Sequence, residues 1–132
     1  MIFVVDASFV IEHLFSGAKP FLEKRPGSAI HFAAPYLIDA EVGQVLRRYF
    51  LNNDLDDRSL HDAAQLYSSF QLMRYEHLPL MSRSLQLRKN ITFYDALYVA
   101  LAEALDVILL TRDERLRTAI RAVSRVRTRD SI

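Results

Sequence analysis

The sequence predicts an α/β fold, a sandwich of helices around a mainly parallel sheet, and three observations carry that expectation. Two short apolar runs, Ile2-Phe3-Val4-Val5 and Val107-Ile108-Leu109-Leu110-Thr111, are rich in β-branched residues and do not alternate with polar ones. That is the pattern of strands buried on both faces, as in the middle of a parallel sheet. Amphipathic helical segments separate the strand candidates, and such alternation yields a layered α/β domain. Finally, the helix at residues 93–105 is apolar on almost every face, which places it in the interior.

Taken in order, the first strand stops at Asp6-Ala7-Ser8, and residues 9–15 read as a short helix that Asp6 can N-cap. Pro20 suits the first turn of another short helix ending near Lys24, and Pro26-Gly27 is a turn signal. Residues 30–34 read as a second strand, stopped by Pro35. Over residues 36–51, Leu37, Ile38, Val42, Val45, Leu46, Tyr49 and Phe50 recur at helical spacing. Asp39 and Glu41 sit in the first turns of that helix and Arg47-Arg48 near its end, where the dipole favours cations. Asn52-Asn53-Asp54 ends it. Asp56 or Asp57 can cap the next helix, expected to run to about residue 72, so the two form a helical hairpin. Residues 76–80 read as a weak third strand and 81–88 as helix. After the strand at 107–111 come Arg112-Asp113, a basic helix at 114–122 and an edge strand at 126–128.

The chain has 132 residues, 51% apolar, with only 3 Gly and 4 Pro, and is read as one domain over residues 1–132. The absence of cysteine excludes disulfides, thiolate catalysis and Cys-based metal sites. Residues 1–6 lack the basic region of a signal peptide, and Glu103 and Asp106 interrupt the longest apolar stretch. The expected location is the cytoplasm, with no membrane partner. Net charge is +1, yet residues 112–130 hold seven arginines against three acids. Arginine suits planar, bidentate contact with phosphate or carboxylate, while an ordinary solvated helix face is the plainer explanation.

Position on this scaffold gives the acids a common address. Asp6 follows the first strand and Asp113 the fourth, Glu41 begins the helix after the second strand, and Asp95 begins the buried helix. Strand carboxyl ends and helix starts share one edge of an open parallel sheet, where ligands bind. Each acid has a separate explanation as a cap: Asp6 as N-cap, Asp95 in a box with Thr92, and Thr111 with Glu114 in another box beside Asp113. That explanation weakens when used repeatedly at one edge. Carboxylates at close range raise one another's pKa unless a cation compensates. Oxygen donors without Cys or a His partner select Mg²⁺ or Mn²⁺, which serve phosphoryl transfer. Ser8 and Thr111 place hydroxyls near these acids, suited to orienting them. There is no Gly-rich phosphate loop, no H-E-x-x-H and no G-x-S-x-G, and His13, His31, His61 and His77 lack ligand spacing.

Val4-Val5-Asp6-Ala7-Ser8, the segment from Pro35 through Glu41-Val42 to Arg47-Arg48, Tyr94-Asp95-Ala96-Leu97-Tyr98-Val99-Ala100-Leu101-Ala102, and Leu110-Thr111-Arg112-Asp113-Glu114 occur in that order. Together they resemble the PIN domain, in its small VapC-type toxin ribonuclease form, over essentially the whole chain. The resemblance implies a PIN-like three-layer α/β/α sandwich with a central, mainly parallel sheet of four or five strands. It implies that Asp6, Glu41, Asp95 and Asp113 hold Mg²⁺ or Mn²⁺, supported by Ser8 and Thr111. It further implies an endoribonuclease cutting RNA with metal-activated water, neutralised by a VapB-type antitoxin and forming a homodimer. Many relatives carry Asn shortly after the Glu, where this chain has Gly43-Gln44. Asp39 is read as a solvated first-turn acid. Two rivals stand beside this reading. A haloacid-dehalogenase-like phosphatase also opens with a strand ending in an acid, but normally has a second Asp where this chain has Ser8. A non-catalytic PIN-like binding module would show a broken acidic quartet. The hairpin over residues 36–72 is expected to be under-buried in a monomer and to bind antitoxin or a second subunit.

Overall fold

The first apolar run forms β1 (Ile2–Val5), with Phe3, Val4 and Val5 at 1% exposure or less. The computed structural model describes residues 1–16 and 29–132; the short helix and Pro26-Gly27 turn expected between them lie outside the described residues. After β1 come α1 (Ala7–Phe15), β2 (His31–Pro35), α2 (Leu37–Leu51), α3 (Asp57–Ser69), β3 (Met73–Tyr75) and a 3₁₀ turn at Leu78–Leu80. The chain continues through α4 (Met81–Gln86), α5 (Phe93–Leu105), β4 (Ile108–Leu110), α6 (Glu114–Val123) and β5 (Thr128–Arg129). The strands form one parallel sheet of five, in the order β3-β2-β1-β4-β5.

This order locates the crevice. From β1 the chain steps outward to β2 and β3; from β4 it steps outward the other way, to β5. Right-handed crossovers in opposite directions put their helices on opposite faces. Accordingly α1, α2 and α3 pack together, while α5 packs on α4 and across β1, β2 and β4. The result is a three-layer α/β/α sandwich. The direction of winding reverses between β1 and β4, which pair through Val4–Leu109 and Val5–Leu110, and ligands bind at such switch points.

The apolar helix is buried as its composition requires. Residues 96–102 of α5 are all inside, and Leu97 and Leu101 are exposed by 2% or less. Each contributes about 1.5–3 kcal/mol by burial. Thr92 caps α5 by accepting the Asp95 N–H at 3.2 Å. The helix ends at Asp106, left-handed at φ 53°, and Val107 N–H reaches back to the Ala102 carbonyl at 3.1 Å.

Two elements differ from the sequence reading. The third strand is Met73–Tyr75 and not residues 76–80. Pro79 has no N–H for a ladder, and it opens the 3₁₀ turn instead, closed by Leu80 N–H on the His77 carbonyl at 2.9 Å. Helix α3 ends at Ser69, short of residue 72, because Phe70 turns extended to pack its buried ring on Phe32, centroids 5.3 Å apart. In the α2–α3 hairpin, Tyr36 and Leu51 are exposed at opposite ends of α2, whereas Ile38, Val42 and Leu46 are buried. Leu78, Met81 and Leu85, outside the hairpin, are exposed as well. Among the described residues no helix is long and apolar enough to cross a membrane.

Candidate active site

Asp6 leaves β1 in extended conformation and N-caps α1, so its carboxylate is fixed at the mouth of the switch point. It is only 7% exposed. Its Oδ1 accepts the Ser8 hydroxyl at 2.6 Å and the Phe9 N–H at 3.0 Å, and its Oδ2 accepts the Thr111 hydroxyl. Both hydroxyl protons are thus spent on Asp6, so the 3.3 Å separation of the Ser8 and Thr111 oxygens is close approach rather than a further bond. The same two oxygens accept backbone N–H groups, Ser8 from Arg112 at 2.9 Å and Thr111 from Asp113 at 3.1 Å. The turn after β1 and the turn after β4 are therefore laced together.

Asp113 caps α6 by accepting Leu116 N–H at 3.1 Å. The expected Thr111–Glu114 capping box does not form. Thr111, wholly buried, turns its hydroxyl inward to Asp6, and the cap passes to Asp113. Asp95 lies in the first turn of α5 and Glu41 in the early turns of α2, both half-buried. Glu41 Oε1 accepts the Tyr98 hydroxyl from α5.

Four chain segments distant in sequence thus bring four acids within one another's electrostatic reach. Burial pushes the Asp6 carboxyl above its ordinary range, overcoming hydrogen bonds from Ser8, Thr111 and Phe9 that act the other way, and the Asp113 charge adds to the rise. Glu41 is raised by burial first, against the Tyr98 hydrogen bond, with Asp95 and Asp6 contributing repulsion. Asp95 is raised by burial against a Thr92 hydrogen bond, with Asp113 and Asp6 repelling it. Among the described residues the ion pairs are Arg74–Asp39 and Arg83–Glu103, at 2.8 and 2.7 Å, so none of the four acids has an arginine or lysine partner.

Such a cluster is stable only with protons or a cation between the carboxylates. Among the described residues, no three acids or histidines stand close enough to enclose an ion on their own. Asp6 and Glu41 are instead tethered to hydroxyls. That spacing suits Mg²⁺ or Mn²⁺ better than a cation needing an all-protein cage, because Mg²⁺ keeps several waters and takes one or two carboxylates plus substrate phosphate. The donor set is all oxygen, and the residues present fit a hard divalent ion.

Other residues separate clearly from the crevice. Asp39 pairs side-on with Arg74 of β3 at 2.8 and 2.9 Å and accepts the Tyr67 hydroxyl at 2.6 Å, which lowers its pKa. It ties α2 to β3 and α3 rather than standing free in solvent. Gln44 is exposed on α2. His77 accepts Leu37 N–H at 2.9 Å and so caps α2, and His13 bonds the Phe9 carbonyl at 2.9 Å within α1. Of the basic run, Arg117 is half-buried and donates to the Thr111 carbonyl at 2.9 Å, while Arg112, Arg115 and Arg121 are exposed. The residue that pattern reading did not single out is Tyr98, which lies within the apolar helix. Its signal was available: a tyrosine inside an otherwise apolar helix needs a partner for its hydroxyl, and it follows Asp95 by one helical turn.

Comparison with known proteins agrees with this architecture. The chain is 44% identical over 118 residues to Ribonuclease VapC1 of Mycobacterium tuberculosis, covering 88% of this chain and 89% of that protein. The fold resembles PAE2754 from Pyrobaculum aerophilum, with TM-score 0.70, 21% identity, and coverage of 97% of this chain and 83% of that one. It also resembles a chain of VapBC2 from Rickettsia felis, with TM-score 0.65, 12% identity, and 98% of each chain covered. A family model described as PIN domain matches residues 3–121, and with that match and the VapC1 identity over most of its length the chain belongs to the PIN domain family.

Proposed function

We propose that this protein is a Mg²⁺- or Mn²⁺-dependent endoribonuclease, the toxin of a type II toxin–antitoxin system, built as a single PIN domain over residues 1–132. The observation that carries the site is the cluster of four carboxylates at the switch point, linked by repulsion and, among the described residues, without an arginine or lysine partner. The 44% identity to a protein named as a VapC ribonuclease supports the choice of RNA hydrolysis over other phosphoryl chemistry. Asp6, Glu41, Asp95 and Asp113 would hold the ion. When bound, a divalent ion lowers the pKa of its water and offsets charge on the scissile phosphate.

The chain's own residues prepare that chemistry. Ser8, Phe9 and Thr111 hold Asp6 in one rotamer, so its oxygens need no reorganisation. Asp95 and Asp113 are mounted on the starts of α5 and α6, whose packed cores keep them in register. A cleft of about 450 Å³ whose lining includes Arg117, Arg121 and Arg129 beside one acid, Asp130, is joined to Thr111 through Arg117 and the Arg129 carbonyl and would receive the RNA backbone, making binding salt-dependent. The exposed Leu78, Met81 and Leu85 suit a protein partner, a VapB-type antitoxin or a second subunit of a homodimer. The expected location is the cytoplasm.

The test is cleavage of a mixed RNA substrate with Mg²⁺ or Mn²⁺, with excess EDTA, and by Asp95→Asn. Cleavage should need the metal and fall at least a hundredfold in a folded Asp95→Asn protein, the loss of one positioned group at a reacting centre. Parental cleavage in EDTA would remove the metal from the reading, and parental cleavage by Asp95→Asn would remove Asp95.

A further inference from the structure

We propose that Tyr98 is a positioning residue for the metal centre: its buried hydroxyl holds Glu41 in the rotamer that binds the ion. The proposal rests on the reading of Glu41 as a metal ligand and adds a residue that acts through it.

Tyr98 is 1% exposed and lies in the run of residues 96–102 of α5, every other member of which is apolar. Phenylalanine would satisfy the packing there. A buried phenol instead demands a partner, and the partner is Glu41 Oε1. The bond joins α2 to α5, elements 57 residues apart in sequence. Asp95 and Tyr98 are three residues apart on α5 and therefore share a face. One rigid helix thus carries one candidate ligand and the donor that orients another.

The chemistry of the bond favours this role. An ordinary phenol keeps its proton at neutral pH and a carboxylate oxygen can only accept, so Tyr98 is the donor and Glu41 the acceptor. It donates to one carboxylate oxygen and leaves the other to a cation. Glu41 stands in the early turns of α2 with three rotatable bonds to its carboxylate and, unlike Asp6, has no Ser or Thr holding it among the described residues. Without Tyr98 it would swing away from the charges of Asp95 and Asp6. Asp6 and Glu41 are in this sense treated alike, each fixed by a hydroxyl from a distant segment.

The experiment is Mn²⁺ titration by calorimetry of the parent, Tyr98→Phe, Glu41→Gln and the double variant, with thermal melting of each in EDTA. Tyr98→Phe should bind Mn²⁺ about 10–100-fold more weakly, the usual loss when the partner of a metal ligand is removed. It should still melt cooperatively in EDTA, with Tm lower by the few degrees that loss of one hydrogen bond to a carboxylate costs. The double variant should bind no more weakly than Glu41→Gln alone, because Tyr98 acts only through Glu41. RNA cleavage by Tyr98→Phe should recover as Mn²⁺ is raised, with KM for RNA unchanged. If Tyr98→Phe does not fold, 4-fluorophenylalanine at position 98 fills the hydroxyl's space without donating and is measured in its place. Parental Mn²⁺ affinity of Tyr98→Phe, with Glu41→Gln weakened, overturns the inference and leaves the site standing. Additive losses also overturn it. Parental affinity in both variants removes Glu41 from the site itself.

Discussion

Thr111→Val isolates the bond on which the crevice depends. Valine keeps the shape of threonine and removes the hydroxyl that donates to Asp6 Oδ2 and accepts Asp113 N–H at 3.1 Å. Thr111 is wholly buried and Asp6 is 7% exposed, so water does not readily replace either partner. A hydrogen bond to a charged group contributes about 1.5–3 kcal/mol, and the orphaned Asp113 N–H adds to the loss, so we expect about 2–3 kcal/mol at pH 7.5 in EDTA. For a chain of this length that lowers Tm by roughly 6–12 °C. The loss should shrink on acidification. The Thr111 bond favours ionised Asp6, so its removal raises further a folded-state pKa that already lies above the unfolded value. Native Asp6 then takes up a proton more readily as the pH falls, which relieves the missing bond. Urea unfolding at pH 7.5 and pH 5 measures both numbers. A loss under about 0.5 kcal/mol, the range of an indifferent surface change, would refute the reasoning. So would a larger loss at pH 5 than at pH 7.5.

The remaining expectations concern the acids as a group. Asp6, Glu41 and Asp95 have folded pKa values above their unfolded ones, so between the unfolded value and the folded value the native state holds more protons. Metal-free protein should therefore lose stability as pH rises through that window, by up to about 1.4 kcal/mol per unit for each titrating group, and melting in EDTA from pH 4.5 to 8 checks the sign. Asp39 and Glu103 have lowered values, so their stabilisation is present above the unfolded values and fades only as pH falls below about 4. With saturating Mn²⁺ the slope should reverse, because the ion binds only deprotonated acids. Asp95→Asn should raise Tm in EDTA by relieving the burial of a charge and the repulsion from Asp113 and Asp6, while abolishing the Mn²⁺-induced gain; a lower Tm in EDTA would show that Asp95 acts chiefly as a cap. Asp39→Ala breaks a pair whose side chains are 27% and 43% exposed, so it should cost about 1 kcal/mol or less, diminish in 0.5 M NaCl and leave RNA cleavage unchanged.

Local pattern was most reliable where one physical demand dominated. A helix apolar on all sides has only one place to go, and residues 93–105 form α5 as read. The short β-branched runs became β1 and β4, adjacent in the middle of the sheet. Pattern was least reliable where tertiary packing outweighed a weak local preference. Met73–Tyr75 is too short to show a period, and it becomes a strand because β2 offers it an edge. Phe70 leaves its helix because Phe32 offers a better place for the ring.

For the site, strand ends and helix starts were legible from the chain because parallel-sheet topology sends them to a common edge. The sequence alone therefore determined which acids share an address: Asp6, Glu41, Asp95 and Asp113. It left undecided which hydroxyl serves which acid. Thr111 could cap its own helix or reach back across 105 residues to Asp6, and only the pairing of β1 with β4 brings the second option within a hydrogen bond. Tyr98 could be plain core, and only the approach of α2 to α5 gives its hydroxyl a carboxylate. Local choices follow from backbone geometry over a few residues. The partners of buried polar groups follow from how distant segments close on one another, and that is decided in three dimensions.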